Sequence, residues 1–382
     1  MNYKYNPYAK KMPKPPKYKK RKAFRLTKKQ GIILVLFAAL IVSGLIYYFK
    51  DEAQDPNLAN GGLGFELNED SSGYILKEYT GSAKTVTIPE FYDELPVVKI
   101  GDRAFESRQH VIKIVIPESV TEIGTAAFGG CTSLTEINLH DGIVSLGDEA
   151  FRGCTALKEI DLPDSLEYLG KQAFIYCIRI TNVMIPRKIT EIQAETFKGC
   201  TALTNASMPD TVTKIGNSAF NGCVGIIGMP LPKSLTYIGD SAFRGCSNIL
   251  EIIIPDTVTE IGPWAFSGCA EMTKLQIGKG VTAIGEHAFR GCAKLTTAGL
   301  PAGVTKIEDG LFKGCSLLSS MSIPENVTVI GKEAFRECKA LTLIKFDGTT
   351  TRWESIEKKD YWDYGMVTYT VKCLDGNLMK KQ

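Results

Sequence analysis

Eleven phenylalanines (Phe105, Phe128, Phe151, Phe174, Phe197, Phe220, Phe243, Phe266, Phe289, Phe312 and Phe335) stand 23 residues apart without a slip. No insertion or deletion interrupts the ten intervals. The unit is therefore a geometric rung, and a fixed period of roughly 20–50 residues is the mark of a stacked repeat architecture.

Numbered from its Phe, every unit reads alike. Eight residues before stands Val, Leu or Ile, and five before stands Ile or Leu. Ala precedes the Phe in nine units, and Cys follows three residues after it in ten, from Cys131 to Cys338. Positions six, nine and eleven after the Phe are apolar throughout, and position twelve is Pro in eight units.

The pattern translates into local structure. L-x-x-I-x-I ends in a period-two alternation, which predicts a short strand. Pro at position twelve has no N–H for a ladder and stops it. V-T-x-I-G predicts a second short extended piece, and x-x-A-F-x-G-C about one helical turn closed by a Gly at positive φ. One rung cannot bury eight apolar positions alone, whereas stacked rungs cover one another. Eleven rungs at ~4.8 Å would make a rod or arc of about 50 Å, with the Phe rings as its spine. The expected fold class is thus a β-rich repeat solenoid of short strands and short helical turns.

The phrase IPxxVTxIGxxAFxGCxxLTxI resembles the BspA-like, or Treponema pallidum type, leucine-rich repeat across about 250 residues. Cys precedes the strand here, whereas the common leucine-rich pattern has Asn or Cys after it. The resemblance implies a bacterial surface protein engaged in adhesion or host contact, and a Trp-containing C-terminal segment that acts as a cap.

A solenoid needs both ends capped. Residues 64–105 contain strand-like runs around a turn at Ser72-Gly73 and a degenerate first rung, an N-cap. Residues 348–382 break the repeat and bring Trp353, Tyr361, Trp362, Tyr364 and Tyr369, a C-cap.

Charge is segregated along the chain. The first fifty residues hold thirteen Lys or Arg and no acid, so the remainder carries 32 basic against 42 acidic residues. Residues 31–49, GIILVLFAALIVSGLIYYF, are uncharged and long enough to span ~30 Å of hydrocarbon as a helix. With the basic cluster before them, the positive-inside rule puts the N-terminus in the cytoplasm and the repeats outside. Cleavage as a signal peptide after residues 42–44, giving a secreted protein, is the alternative. The expected organisation is a basic tail at 1–30 that touches anionic lipid, a signal anchor at 31–49 and a linker at 50–63. The solenoid with its N-cap then fills 64–347, and the C-cap 348–382.

Chemistry is sparsely encoded. Equivalent cysteines on neighbouring rungs point the same way, which favours buried free thiols over a disulfide ladder. No C-x-x-C or Cys/His cluster suggests a metal, and three histidines (His110, His140 and His287) form no catalytic arrangement. No phosphate-binding Gly loop is present. The expectation is a non-enzymatic protein without a cofactor and with no nucleic-acid partner.

Binding is better encoded. Positions eight and ten after each Phe face outward on one strand face, and they vary while the interior repeats. Glu136, Asn138, Glu159 and Asp161 gather three carboxylates on adjacent rungs, suited to a basic partner, though too few oxygens for calcium. Asn182 and Met184 follow on the next rung, and Met184, Pro230 and Ile253 expose apolar surface. Thr at position seven recurs as a strand-stabilising ladder. The sequence therefore predicts a membrane-anchored surface scaffold that binds a protein or glycan through this face. A structural spacer or self-assembling element of the envelope is the alternative.

Overall fold

The computed structural model describes residues 61–380. The basic tail and the apolar segment at 31–49 lie outside the described residues. Among those described, no helix is long and apolar enough to cross a membrane.

Most coils contribute two to four residues to each of two parallel ladders, and Glu159 and Gly228 join the second only through single bridges. The first ladder is built from V-T-x-I-G, as in Lys214–Ile215, Tyr237–Ile238 and Glu260–Ile261. These pair in register at the 23-residue period, Ile215 beside Ile238 beside Ile261. The second is built from the strand before the Pro, as in Asn182–Met184 and Asn205–Ser207. Between them runs the turn that carries the Phe. Burial follows the alternation: Ile215, Ile238 and Ile261 are wholly buried, and Lys214 and Glu260 beside them are exposed.

The eleven Phe rings are fully buried and stack on one another with centroids 5.1–5.8 Å apart. That is offset stacking, worth ~0.5–1.5 kcal/mol per pair beyond area burial. The stack is longer than the repeat. Tyr79 lies 5.2 Å below Phe105, and Trp362 closes the top edge-on, 6.2 Å from Phe335 and tilted 80°. The solenoid therefore has about 13 turns, which corrects the eleven rungs counted from sequence. The two terminal coils escaped the count because their ring is no longer Phe and their spacing departs from 23.

The turn itself differs from expectation. Its bonds run three residues back, as from the Cys131 N–H to the Phe128 carbonyl at 3.1 Å, but no helix forms. Two residues before each Phe the backbone is left-handed: Ala126, Glu149, Gln172, Ser218 and Trp264 have φ between 51° and 60°. A left-handed residue stops right-handed propagation. The Gly two after the Phe takes the expected positive φ, 73° at Gly245. The left-handed position before the Phe gave no sequence signal, because in these coils it is not glycine.

Stacking at the I-G corner explains that Gly sterically. A Cβ on Gly147 would stand 2.6 Å from the carbonyl carbon of Gly124 one coil below. The sequence departs from Gly here twice within the repeats, at Gln193 and Glu308. At those two coils the first ladder is interrupted, between Tyr168–Leu169 and Glu191–Ile192 and between Ala283–Ile284 and Lys306–Ile307. Gly147 donates to the Ile123 carbonyl at 2.8 Å, and Gly216 to the Ile192 carbonyl at 2.8 Å. Among the described residues no such bond is made from Gln193 or Glu308. A Cβ at this corner meets the conflict described for Gly147, and the ladder bond is given up there.

Antiparallel strands finish both ends. Leu63–Leu67 pairs with Tyr74–Tyr79 through a turn in which Asn68 Oδ1 accepts the Ser72 and Gly73 N–H groups at 3.0 and 3.1 Å. At the other end a five-residue helix, α1 (Thr350–Glu354), carries Trp353 inward. Trp353, Trp362 and Tyr369 then pack edge-on at 6.0–6.3 Å, while Tyr361 and Tyr364 remain exposed. Asn377–Lys380 turns back on Tyr369–Lys372 and ends the second ladder.

Candidate functional site

The second ladder presents its outer face as expected. In Asn182–Met184 and Asn205–Ser207 the middle residue is buried and its neighbours are exposed. Thr at position seven donates its hydroxyl to the coil before: Thr204 to the Thr181 carbonyl at 3.0 Å, and Thr273 to the Leu250 carbonyl at 3.2 Å. These side chains are spent on the scaffold.

Six of the seven candidate residues come together. Glu136, Asn138, Glu159 and Asp161 line one depression of about 570 Å³. Asp161 continues into a second, of about 450 Å³, lined also by Asn182 and Met184. Asp141 and Asp164 border the second depression and add carboxylates that the sequence reading left out. They sit just beyond the strand, where outward direction cannot be read from alternation. The seventh candidate, Ile253, stands apart in an apolar depression of about 530 Å³ with Met229, Pro230 and Leu231.

The candidates are not equally free. Glu136 is paired with Lys113 one coil earlier, 2.8 Å away. Asn138 is occupied on both atoms of its amide: Oδ1 accepts the Ile116 N–H and Nδ2 donates to the Ile116 carbonyl, each at 2.8 Å. Its role is to replace ladder bonds where the second ladder breaks after Glu136–Ile137. Glu159 and Asp161 are exposed and make no ion pair among the described residues. Met184 projects furthest, 76% exposed. Among the described residues no three His, Cys, Asp or Glu side chains are grouped to hold a metal ion.

Ile227 and Leu250 extend the apolar surface beside Ile253, at 55% and 46% exposure. Both occupy position seven, where Thr stands in six of the eleven units, and that substitution was the signal available in the sequence. The ten repeat cysteines lie inside and away from this face. Each donates its thiol to the Phe carbonyl one coil earlier, as Cys177 does to Phe151 at 3.0 Å.

The family model for the BspA type leucine rich repeat region, six copies, matches residues 98–227 and again 214–342. The chain belongs to the BspA-type leucine-rich-repeat family. Among solved structures, this BspA-type chain is similar to a leucine rich cell surface protein of Faecalibacterium prausnitzii. The two are 28% identical, the match covers 78% of this chain and 96% of that one, and the TM-score is 0.49. A leucine-rich repeat protein of Bacteroides ovatus is 25% identical, over 82% of this chain and 98% of that one, with a TM-score of 0.46. The pneumococcal vaccine antigen PcpA is 17% identical, over 76% and 91%, with a TM-score of 0.50, a likeness of fold. No curated protein matches the chain.

Proposed function

We propose that this BspA-type solenoid is a non-enzymatic scaffold displayed outside the cell, anchored through residues 31–49, that binds a protein partner through the outer face of its second ladder. The observation that carries the reading is the pair of adjoining depressions that meet at Asp161. Four carboxylates there, Asp141, Glu159, Asp161 and Asp164, make no ion pair among the described residues. Met184 stands beside them as an exposed apolar anchor. Unpaired acid around an apolar centre suits a basic protein surface, and it raises the association rate more than the affinity. A glycan is the other ligand class compatible with this face.

The test is capture from surface fractions by the full chain and by a variant with Glu136→Lys, Glu159→Lys and Asp161→Lys. Specific capture lost in the variant supports the reading, and capture by both or by neither sinks it. A second reading, a self-assembling element of the envelope, draws on Leu374 and Met379, 75% and 68% exposed at the C-terminal hairpin. Its sign would be association that rises with concentration in the absence of any partner.

A further inference from the structure

The turn edge carries a pattern of its own, away from the strand face. One residue after the Phe stands a cation in most of the later coils, and two before it an acid often neutralises that cation. Arg152 pairs with Glu149 at 2.8 Å, Lys198 with Glu195 at 3.1 Å, and Arg336 with Glu333. Five consecutive coils break this rule, with Ser218, Ser241, Trp264, His287 and Gly310 in the acid's place. Arg244 and Arg290 are thereby left without an ion-pair partner among the described residues.

Both instead pack on Trp264. The Arg244 guanidinium lies 5.0 Å from the centre of the ring and that of Arg290 5.3 Å. His287 leans on the same ring at 4.2 Å. Its own ring fills the place a Cβ would take on Gly310, 2.1 Å from Nδ1. Burial, with Arg290 and Lys313 adding to it, holds the His287 pKa below its ordinary value against the opposing pull of exposed Glu286. Neither guanidinium makes a hydrogen bond or ion pair among the described residues; Arg244 is exposed and Arg290 half-buried, so both have donors to offer a ligand.

We propose that Arg244 and Arg290, held on Trp264, dock an acidic polysaccharide. The two side chains leave coils two pitches apart, about 10 Å at the strand spacing. A carboxylate or sulfate fits each guanidinium edge in two-pronged fashion. The spacing decides the class of polymer. Each nucleic-acid strand carries a phosphate every ~3.4 Å of helix axis, so two cations ~10 Å apart would leave most of its charge along this edge unmatched. An extended acidic peptide would bring backbone donors and acceptors that this edge does not match. Its own groups are already joined coil to coil, as in the Phe243 N–H to the Ala265 carbonyl at 2.7 Å. A glycan with one acidic group on every second sugar meets the spacing and keeps its hydroxyls hydrated.

The experiment is retention of the full chain on immobilised hyaluronan at low salt, with neutral dextran and single-stranded oligothymidylate as comparison surfaces. Arg244→Gln with Arg290→Gln is the test variant and Lys188→Gln the control, and melting temperatures report that each still folds. The expected result is retention on hyaluronan alone, weakened about tenfold or more in the double variant and unchanged in the control. A variant of the strand face, Glu159→Lys with Asp161→Lys, should retain hyaluronan, which separates this site from the one proposed above. No retention by the unmodified chain, equal retention by the double variant, or preference for the oligonucleotide would each overturn the proposal.

Discussion

The thiol of Cys177 donates to the carbonyl oxygen of Phe151, 3.0 Å away and one coil earlier, and the same oxygen accepts the Cys154 N–H at 3.1 Å. A carbonyl has two lone pairs, and stacking brings a second donor to each Phe carbonyl. The arrangement repeats through ten coils and runs a chain of thiol bonds beside the ring stack.

Alkaline pH should unfold this protein steeply. Burial pushes the thiols of Cys131, Cys223 and Cys338 up to about 12, and those of Cys154, Cys177 and Cys246 well above the ordinary thiol range. Unfolded thiols ionise near ~8.5. Stability is therefore intact below that pH, where both states hold their protons. It falls as pH rises toward about 12, because only the unfolded chain releases them, at ~1.4 kcal/mol per thiol per pH unit. Melting temperature measured against pH should drop sharply above about 9. A flat profile up to about 11 would refute the buried thiol ladder.

Replacing Cys177 by Ala removes the donor and leaves a small void, an expected loss of about 1–2 kcal/mol. Cys177→Ser keeps a donor of similar shape, though at the cost of burying a more polar group. Urea midpoints should order the unmodified chain above both variants. Equal midpoints would mean that the thiol bond contributes nothing.

The ring stack should be cooperative. Phe220→Ala and Phe243→Ala each cost about 3–5 kcal/mol. Their rings are 5.4 Å apart and nearly parallel, at 5°. The double variant should fall short of the sum by ~0.5–1.5 kcal/mol. Strict additivity in a denaturation cycle would show the rings to be independent.

The two interrupted corners offer a gain. Gln193→Gly or Glu308→Gly removes the Cβ and permits ladder bonds at that corner, worth ~0.5–1.5 kcal/mol each against ~1 kcal/mol of added chain entropy. Gly147→Ala, with its Cβ 2.6 Å from Gly124, should instead cost about 1–3 kcal/mol. Hydrogen exchange at the amides of positions 193 and 308, the donors missing from the ladder, would report the corner directly: protection should rise in the glycine variants, and no change would deny the steric cause.

Asn138 and Glu159 should separate scaffold from ligand contact. Asn138→Asp replaces the amide donor to the Ile116 carbonyl with a charge that repels it, and leaves a half-buried group unmatched, so the melting temperature should fall by several degrees. Glu159→Gln, at an exposed carboxylate, should leave melting unchanged while weakening partner capture. The reverse pattern would exchange their roles.

The sequence by itself determined the coil. A 23-residue period, a Pro that ends each strand and an invariant ring leave one economical solution, in which every coil buries its apolar positions on the next. The outward direction of Glu159, Asp161, Asn182, Met184 and Ile253 followed from alternation within a strand, because that is a local property of the backbone.

Only the tertiary structure decided what depends on the neighbouring coil. The thiol of Cys177 reads as a small apolar side chain until a carbonyl from another coil stands within reach. Asn138 reads as a free surface amide until Ile116 takes both of its atoms. Tyr79 and Trp362 join the ring stack from outside the period, since stacking selects for shape and position and not for residue type or spacing. The ladder breaks at Gln193 and Glu308 fall where a Cβ, built on the equivalent Gly147, would meet backbone one coil away. Contacts across the pitch belong to no single coil, and so the one-dimensional text of the repeat does not contain them.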